Sequence, residues 1–191
     1  MKRRTFWSVA LMVPVLLAVA AWLVFGPRVR QYYWKRQFDA AWANTDRLVV
    51  DPNVQLVSSA TRFGIPPLPT YEVRGEEKIR ACLGLIEFQV KQEVCACRGD
   101  MLLNLYRGER ARATISYHHG KYLNWHGSGW PGHAELTPTS AAALENWLHE
   151  NGCPTSDEAY AMGRKAVDEA MERHRSPTTQ DQPEPPGLES P

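Results

Sequence analysis

The sequence predicts an α+β fold: an N-terminal single transmembrane helix followed by a small antiparallel sheet of three to five strands, packed against two or three helices. Three observations support this prediction. An uncharged, largely apolar run occupies residues 6–26. Apolar and polar residues alternate between residues 94 and 119, and apolar stripes at helical spacing lie on both sides of that alternation.

A retained membrane anchor with basic flanks is predicted for residues 1–27. Basic residues at positions 2–4 precede the uncharged run, and a helix needs about 20 apolar residues to cross the hydrocarbon of a bilayer. The alternative is a cleaved signal peptide, because residues 18–20 resemble a small-residue cleavage site. The run continues past that site to Gly26 and ends at basic residues, which favours a signal-anchor.

The soluble domain of this single-pass protein is expected to lie outside the cytoplasm. Arg28, Arg30, Lys35 and Arg36 follow the anchor and balance the basic residues before it, so the positive-inside rule does not decide the orientation. The short segment before the anchor has no export signal of its own, which favours its staying in the cytoplasm. Residues 28–46 are predicted to form a juxtamembrane helical stalk.

The rest of the chain divides into a globular domain, a peripheral helix and a tail. The α+β domain covers residues 47–152, the peripheral helix residues 153–175, and a disordered proline-rich tail residues 176–191. Within the domain a helix is predicted over residues 76–90, where apolar side chains recur at helical spacing. A second helix opens at Pro138, since proline is tolerated in a first turn.

The central stretch predicts a hairpin. Odd-numbered positions are mostly apolar over residues 95–105 and 111–119, and this period of two indicates strands with one buried face. Pairing odd positions with odd positions requires a loop with an odd number of residues, centred on Gly108 or on Glu109. The first register pairs Leu103 with Ala113, and the second pairs Gly99 with His119.

This parity divides the cysteines and histidines between two faces. A third strand is predicted over residues 121–126, followed by a glycine-rich loop. The residues expected on the buried face are Cys95, Cys97 and His119. Those expected on the exposed side and in the loop are His118, His126, Trp130 and His133.

The cysteines leave three interpretations open. Cys95, Cys97 and His119 could supply soft ligands for zinc, although one intervening residue is a poor spacing for a structural zinc site. In an exported domain the disulfide candidates are Cys82, Cys95, Cys97 and Cys153. The third interpretation is that the cysteines are small core residues.

The sequence favours a non-catalytic binding domain. Residues 94–119 contain no convergent nucleophile, base and acid, because Asp100 falls on the face opposite the cysteines. We therefore expect no cofactor, and a protein partner or small ligand at His118, His126, Trp130 and His133. The alternative is a zinc-binding or thiol-dependent enzyme centred on Cys95, Cys97 and His119, which stoichiometric zinc in the purified protein would support. A net charge of +1 gives no general reason to bind nucleic acid.

Overall fold

The first helix carries the apolar segment. The computed structural model describes residues 2–53, 64–91, 99–126 and 133–175, beginning with α1 (Lys2–Ala43). Over Met12–Ala43 this helix is long and apolar enough to cross a membrane, judged by length and composition. Its large apolar side chains from Met12 to Phe25 are 50–70% exposed. A continuous apolar surface of this kind is typical of contact with a membrane or another protein.

The second half of α1 lies in the core of the domain. Trp34, Phe38 and Trp42 are buried, and the Phe38 ring lies 5.3 Å from the rings of both Trp42 and Phe88, between centroids. Trp42 Nε1 donates a hydrogen bond to Ile79 O over 2.9 Å. Burying each large side chain contributes roughly 1.5–3 kcal/mol. The residues predicted as a stalk therefore form part of the core.

The sheet has seven strands, all paired antiparallel, in the order β2-β1-β4-β5-β6-β7-β3. The α+β class is confirmed, and the expectation of three to five strands is too low. The strands are β1 (Arg47–Asp51), β2 (Tyr71–Arg74), β3 (Phe88–Lys91), β4 (Met101–Arg107), β5 (Arg110–His118), β6 (Tyr122–His126) and β7 (His133–Leu136). The additional strands β2, β3 and β7 have only four residues each, and most of β3 lies within the stretch predicted as helix.

The β4–β5 hairpin keeps the predicted parity and differs in its loop. Strand β4 pairs Met101 with Tyr117 and Leu103 with Ile115, which is the register centred on Glu109. The turn itself has two residues, because Arg107 pairs with Arg110, and a register shift follows between Leu105 and Tyr106. This bulge adds the residue that odd-to-odd pairing requires.

Helix α2 is shorter than predicted. It covers Glu76–Gly84 and buries Ile79 and Cys82, whereas the sequence predicts a helix to residue 90. Ile86 is also buried, but it follows the end of the helix. The apolar stripe therefore continues in the connection to β3, where side chains point to the same core without helical geometry.

Two further helices complete the described fold. Helix α3 (Pro138–Glu150) begins at a cap in which Thr137 Oγ1 accepts from Ser140 N over 3.2 Å. It buries Leu144, Trp147 and Leu148, as predicted. Helix α4 (Ser156–Arg175) buries Ala159 in the main core and Ala170 in a small second cluster with Ile65.

The two faces of the sheet differ in character. One face is apolar and packs with the helices in a single buried cluster that includes Met101, Leu103, Leu105, Ile115, Tyr117 and Leu123. Because side chains alternate along a strand, Ser116, His118 and His133 lie on the opposite face, and all three are buried. A buried polar surface therefore lies behind the apolar core.

Candidate functional site

The turn between β5 and β6 presents an exposed histidine. His119 and Gly120 have positive φ angles of 52° and 64°, and Lys121 N donates to His118 O over 3.0 Å. A positive φ is uncommon for a residue with a side chain, although histidine is among those enriched there. The turn ends the alternation of β5 and leaves His119 exposed.

A buried carboxylate holds this turn in place. Asp100 is only 3% exposed, and its Oδ2 accepts from His119 N over 2.5 Å and from the Ser156 hydroxyl. Ser156 Oγ in turn accepts from Gly120 N over 2.9 Å. A buried carboxylate is stable only when hydrogen bonds replace its hydration. Asp100 therefore joins the start of β4, the turn and the start of α4.

A second carboxyl group lies at the same helix start. Glu145 Oε2 accepts from Ser156 N over 3.0 Å. Burial raises the pKa of Glu145, while Tyr117 and the Ser156 backbone act in the opposite direction. Burial and the nearby Glu145 carboxyl raise the pKa of Tyr117. Asp100 and Glu145 thus both bind Ser156, Asp100 at the hydroxyl and Glu145 at the backbone N–H.

Two histidines meet on the polar face of the sheet. The rings of His118 and His133 are 4.9 Å apart between centroids, and each residue is 1% exposed. His118 Nε2 lies 2.7 Å from Ser116 Oγ. Burial, together with the neighbouring histidines, lowers the pKa of His118 to about 4. His118 is therefore neutral near pH 7.

The chain approaches His118 closely at Gly99. Its φ is 95°, and a Cβ placed there would lie 3.2 Å from His118 Nε2 and 3.1 Å from Tyr117 O. Both the backbone angle and the space favour glycine at this position. Gly99 thus belongs to the packing of the buried polar face.

The assignment of three histidines to faces was wrong. His118 and His133 were expected on the exposed side, and both are buried. His119 was expected on the buried face, and it is exposed. The reason is that Ser116, Tyr117 and His118 are consecutive buried residues, so both faces of β5 are covered at this end. The alternation then stops at His119, because that residue belongs to the turn.

The other predicted site residues are only partly described. His126 ends β6 and is exposed, as expected for a residue available to a partner. Trp130, Cys95 and Cys97 lie outside the described residues, so their proposed roles stay predictions. The same holds for the glycine-rich loop before His133.

The two described cysteines are buried free thiols. They are Cys82 on α2 and Cys153 after α3. Burial raises the pKa of Cys153 to about 11 and that of Cys82 further, so both are protonated near pH 7. Across residues 2–53, 64–91, 99–126 and 133–175, no group of three or more His, Cys, Asp or Glu side chains is placed to hold a metal ion. The zinc site at Cys95, Cys97 and His119 includes two cysteines beyond these ranges and stays a prediction.

A cleft of about 550 Å³ lies beside the turn. Its size falls in the range of small-molecule sites, which run from about 300 to about 1,000 Å³. Lys121 and Glu135 form an ion pair on its wall, with 3.6 Å between Nζ and Oε1. The polar residues around the cleft are Gln89, His119, Lys121, Glu135 and Thr137. The cleft thus combines an exposed imidazole with both signs of charge.

The sequence did not identify the residues that position this turn. Asp100, Glu145 and Ser156 come from three separate elements, and Ser156 is 56 positions from Asp100 along the chain. No local spacing indicates such a contact. The only local signal is the His119-Gly120 pair between two predicted strands, which is typical of a turn with positive φ angles.

Comparisons with protein-family models, with curated proteins and with solved structures find no match to this chain.

Proposed function

We propose that this protein is a membrane-anchored binding domain that performs no catalysis. The observation that carries the proposal is the continuity of α1. This helix begins in the apolar segment and ends among the buried side chains of the domain, where Phe38 and Trp42 are 1% and 0% exposed. A helix shared in this way fixes the domain next to the membrane. We also propose that the domain lies outside the cytoplasm.

The cleft beside His119 is the proposed binding site for a small ligand or a protein partner. Binding sites combine a concave shape with a few convergent polar groups, and the cleft has His119, Lys121 and Glu135 at its wall. The His119 backbone is held by Asp100, so the imidazole is presented by a rigid turn. Rigid presentation reduces the entropy lost on binding.

Within the part of the chain that the structure describes, the burial of reactive groups supports the non-catalytic part of the proposal. The thiols of Cys82 and Cys153 are protonated near pH 7 because burial raises their pKa values. His118 is neutral but enclosed at 1% exposure. Among the described residues of the cleft, the exposed His119 lies next to a lysine–glutamate ion pair rather than a nucleophile.

Photocrosslinking in native membranes tests the binding site. A photoreactive phenylalanine derivative is placed at Lys121 in the full chain, with a matched control at the exposed Arg112 of β5. We expect a discrete, saturable adduct at position 121 that His119→Ala reduces, and none at position 112, because only position 121 borders the cleft.

Three results would contradict the proposal. Equal adducts at both positions would show unspecific contact, and a lack of any adduct at position 121 would remove the cleft as a binding site. Recovery of the ligand in a chemically altered form would show that the domain is an enzyme.

A further inference from the structure

A second depression lies where the apolar segment ends. It has a volume of about 850 Å³ and runs between α1 and Gln89 of β3, and β3 is at one end of the strand order. Arg28, Gln31, Tyr32, Lys35, Arg36 and Asp39 line it from α1. These positions recur at helical spacing and therefore form one stripe. We call this depression the juxtamembrane groove.

The juxtamembrane groove has an excess of positive charge. Arg28, Lys35 and Arg36 are cationic, and Asp39 is the one acidic residue among the lining side chains described. Lys35 Nζ lies 3.0 Å from Asp39 Oδ1, and both side chains are about two-fifths exposed. An exposed ion pair of this kind contributes little, about 0–1 kcal/mol. Two positive charges thus remain in excess, and Lys35 stays accessible to an anion.

The start of the juxtamembrane groove lies at the depth of the headgroup layer of a bilayer. Its lining starts at Pro27, directly after the uncharged run that ends at Gly26. At about 1.5 Å per residue, Arg28 stands about 3 Å beyond that run and Arg36 about 15 Å beyond it. The polar layer of each leaflet is about 5–7 Å thick.

The more distant basic side chains are long enough to extend back towards this layer. Cα–Cβ bonds in a helix tilt towards its N-terminus, which for α1 is the side of the apolar run. Long lysine and arginine side chains also extend to keep their charge at an interface. Lys35 and Arg36 therefore face the same region as Arg28.

We propose that the juxtamembrane groove binds the headgroup of an anionic glycerophospholipid. The guanidinium groups of Arg28 and Arg36 can each donate two hydrogen bonds to phosphate oxygens, and Lys35 adds a third cation. The acyl chains continue along the exposed apolar surface of α1 between Met12 and Phe25. This inference rests on the membrane anchoring proposed above.

The test uses the full chain purified in neutral detergent and titrated with phosphatidylglycerol that carries a fluorescent acyl chain. The variant R28Q/K35Q/R36Q removes the three cations. The matched control R110Q/R112Q/R164Q removes three exposed cations from the domain and likewise breaks one i,i+4 ion pair, between Arg164 and Asp168. Thermal unfolding of both variants reports whether they fold.

We expect phosphatidylglycerol to bind at least about tenfold more tightly than phosphatidylcholine, because each basic residue near a membrane surface adds about 1 kcal/mol. R28Q/K35Q/R36Q should lose this preference, and R110Q/R112Q/R164Q should keep it. Higher salt should weaken the preference as well, since the contact is electrostatic.

Several outcomes would overturn the inference. Equal weakening in both variants would indicate a general charge effect. Displacement of the labelled lipid by glycerol 3-phosphate as effectively as by lipid would indicate a water-soluble phosphate ligand. Membrane retention after an alkaline wash is measured on the cell membranes from which each chain is purified. If the protein stays in the membrane but shows no preference for phosphatidylglycerol, the headgroup site alone is refuted. If the alkaline wash releases the protein, both the anchoring and the headgroup site are refuted.

Discussion

His118 is a buried imidazole whose neutral form the fold requires. It is 1% exposed, next to Ser116 and His133, and its pKa is lowered from 6.5 to about 4. The unfolded chain therefore binds this proton at a higher pH than the folded chain does. The contribution of His118 to the free energy of unfolding is complete above about pH 6.5 and is lost as the pH falls towards 4.

Replacing His118 with glutamine should remove part of the acid sensitivity. The difference between the pKa of His118 in the unfolded and in the folded chain corresponds to at most about 3 kcal/mol of the free energy of unfolding. Thermal unfolding of the full chain in detergent at pH 7.5 and pH 5 measures the effect. His118→Gln should lose less stability on acidification than the natural chain, and a control change at the exposed His149 of α3 should leave that loss intact. Equal losses in both variants would contradict this account.

The sequence identified residues well where a local pattern decides their environment. Met101, Leu103 and Ile115 are buried as the alternation predicts, because neighbouring strands repeat the same two-residue period. The alternation gave the wrong environment for His118 and His119. Where a strand ends, and whether other parts of the chain bury its second face, depends on segments that are distant in the sequence. Asp100 and Ser156 show the same limit, because their contact forms only in the folded chain.

At the scale of elements, α4 has a reciprocal cap. Glu158 N donates to Thr155 Oγ1 over 3.3 Å, and Thr155 N donates to Glu158 Oε2 over 2.8 Å. This arrangement satisfies two backbone donors at once. The same contacts lower the pKa of Glu158. Because Ser156 follows directly, the cap also positions the hydroxyl that binds Asp100.

Removing the cap should weaken α4 and the turn together. Thr155→Ala should lower the free energy of unfolding by about 1 kcal/mol, measured by urea unfolding of the full chain in detergent. Hydrogen exchange should speed up in the first turn of α4 and at His119 and Gly120. Thr139→Ala, at an exposed position of α3, serves as the control. A similar loss in the control would show that the cap has no specific role.

Element boundaries were predictable only where the chain marks them. Pro138 and Gly152 delimit α3 as expected, since proline starts a helix and Gly152, with φ of 71°, ends one. Helix α2 has no such mark beyond Gly84, and the buried Ile86 extends its apolar stripe. The apolar pattern therefore does not mark where that helix ends and β3 begins.

For the whole molecule, the apolar part of α1 is expected to determine location and the rest to determine stability. Replacing Leu16 and Val19 with arginine should prevent stable insertion, because each arginine near the bilayer centre costs about 2.5–3.5 kcal/mol. Both side chains are at least half exposed. Alkaline extraction of membranes should release this variant and retain the natural chain.

The matched control places arginine at Leu85 and Tyr160, two exposed apolar residues of the domain. This variant should stay with the membrane. If L16R/V19R is retained equally well, the anchor prediction is contradicted. The intact mass of the natural chain decides between an anchor and a signal peptide, since cleavage near Ala20 would remove most of the apolar run.

The shared helix also limits how far this protein can act. A domain on a flexible linker samples a volume set by the length and stiffness of that linker. Here Trp34 and Trp42 of α1 are buried in the core, so an anchored α1 would hold the domain close to the bilayer surface. If the anchoring and binding proposed above hold, a ligand would have to diffuse along the membrane surface or arrive close to it. The proposed binding domain would then act locally at the membrane surface.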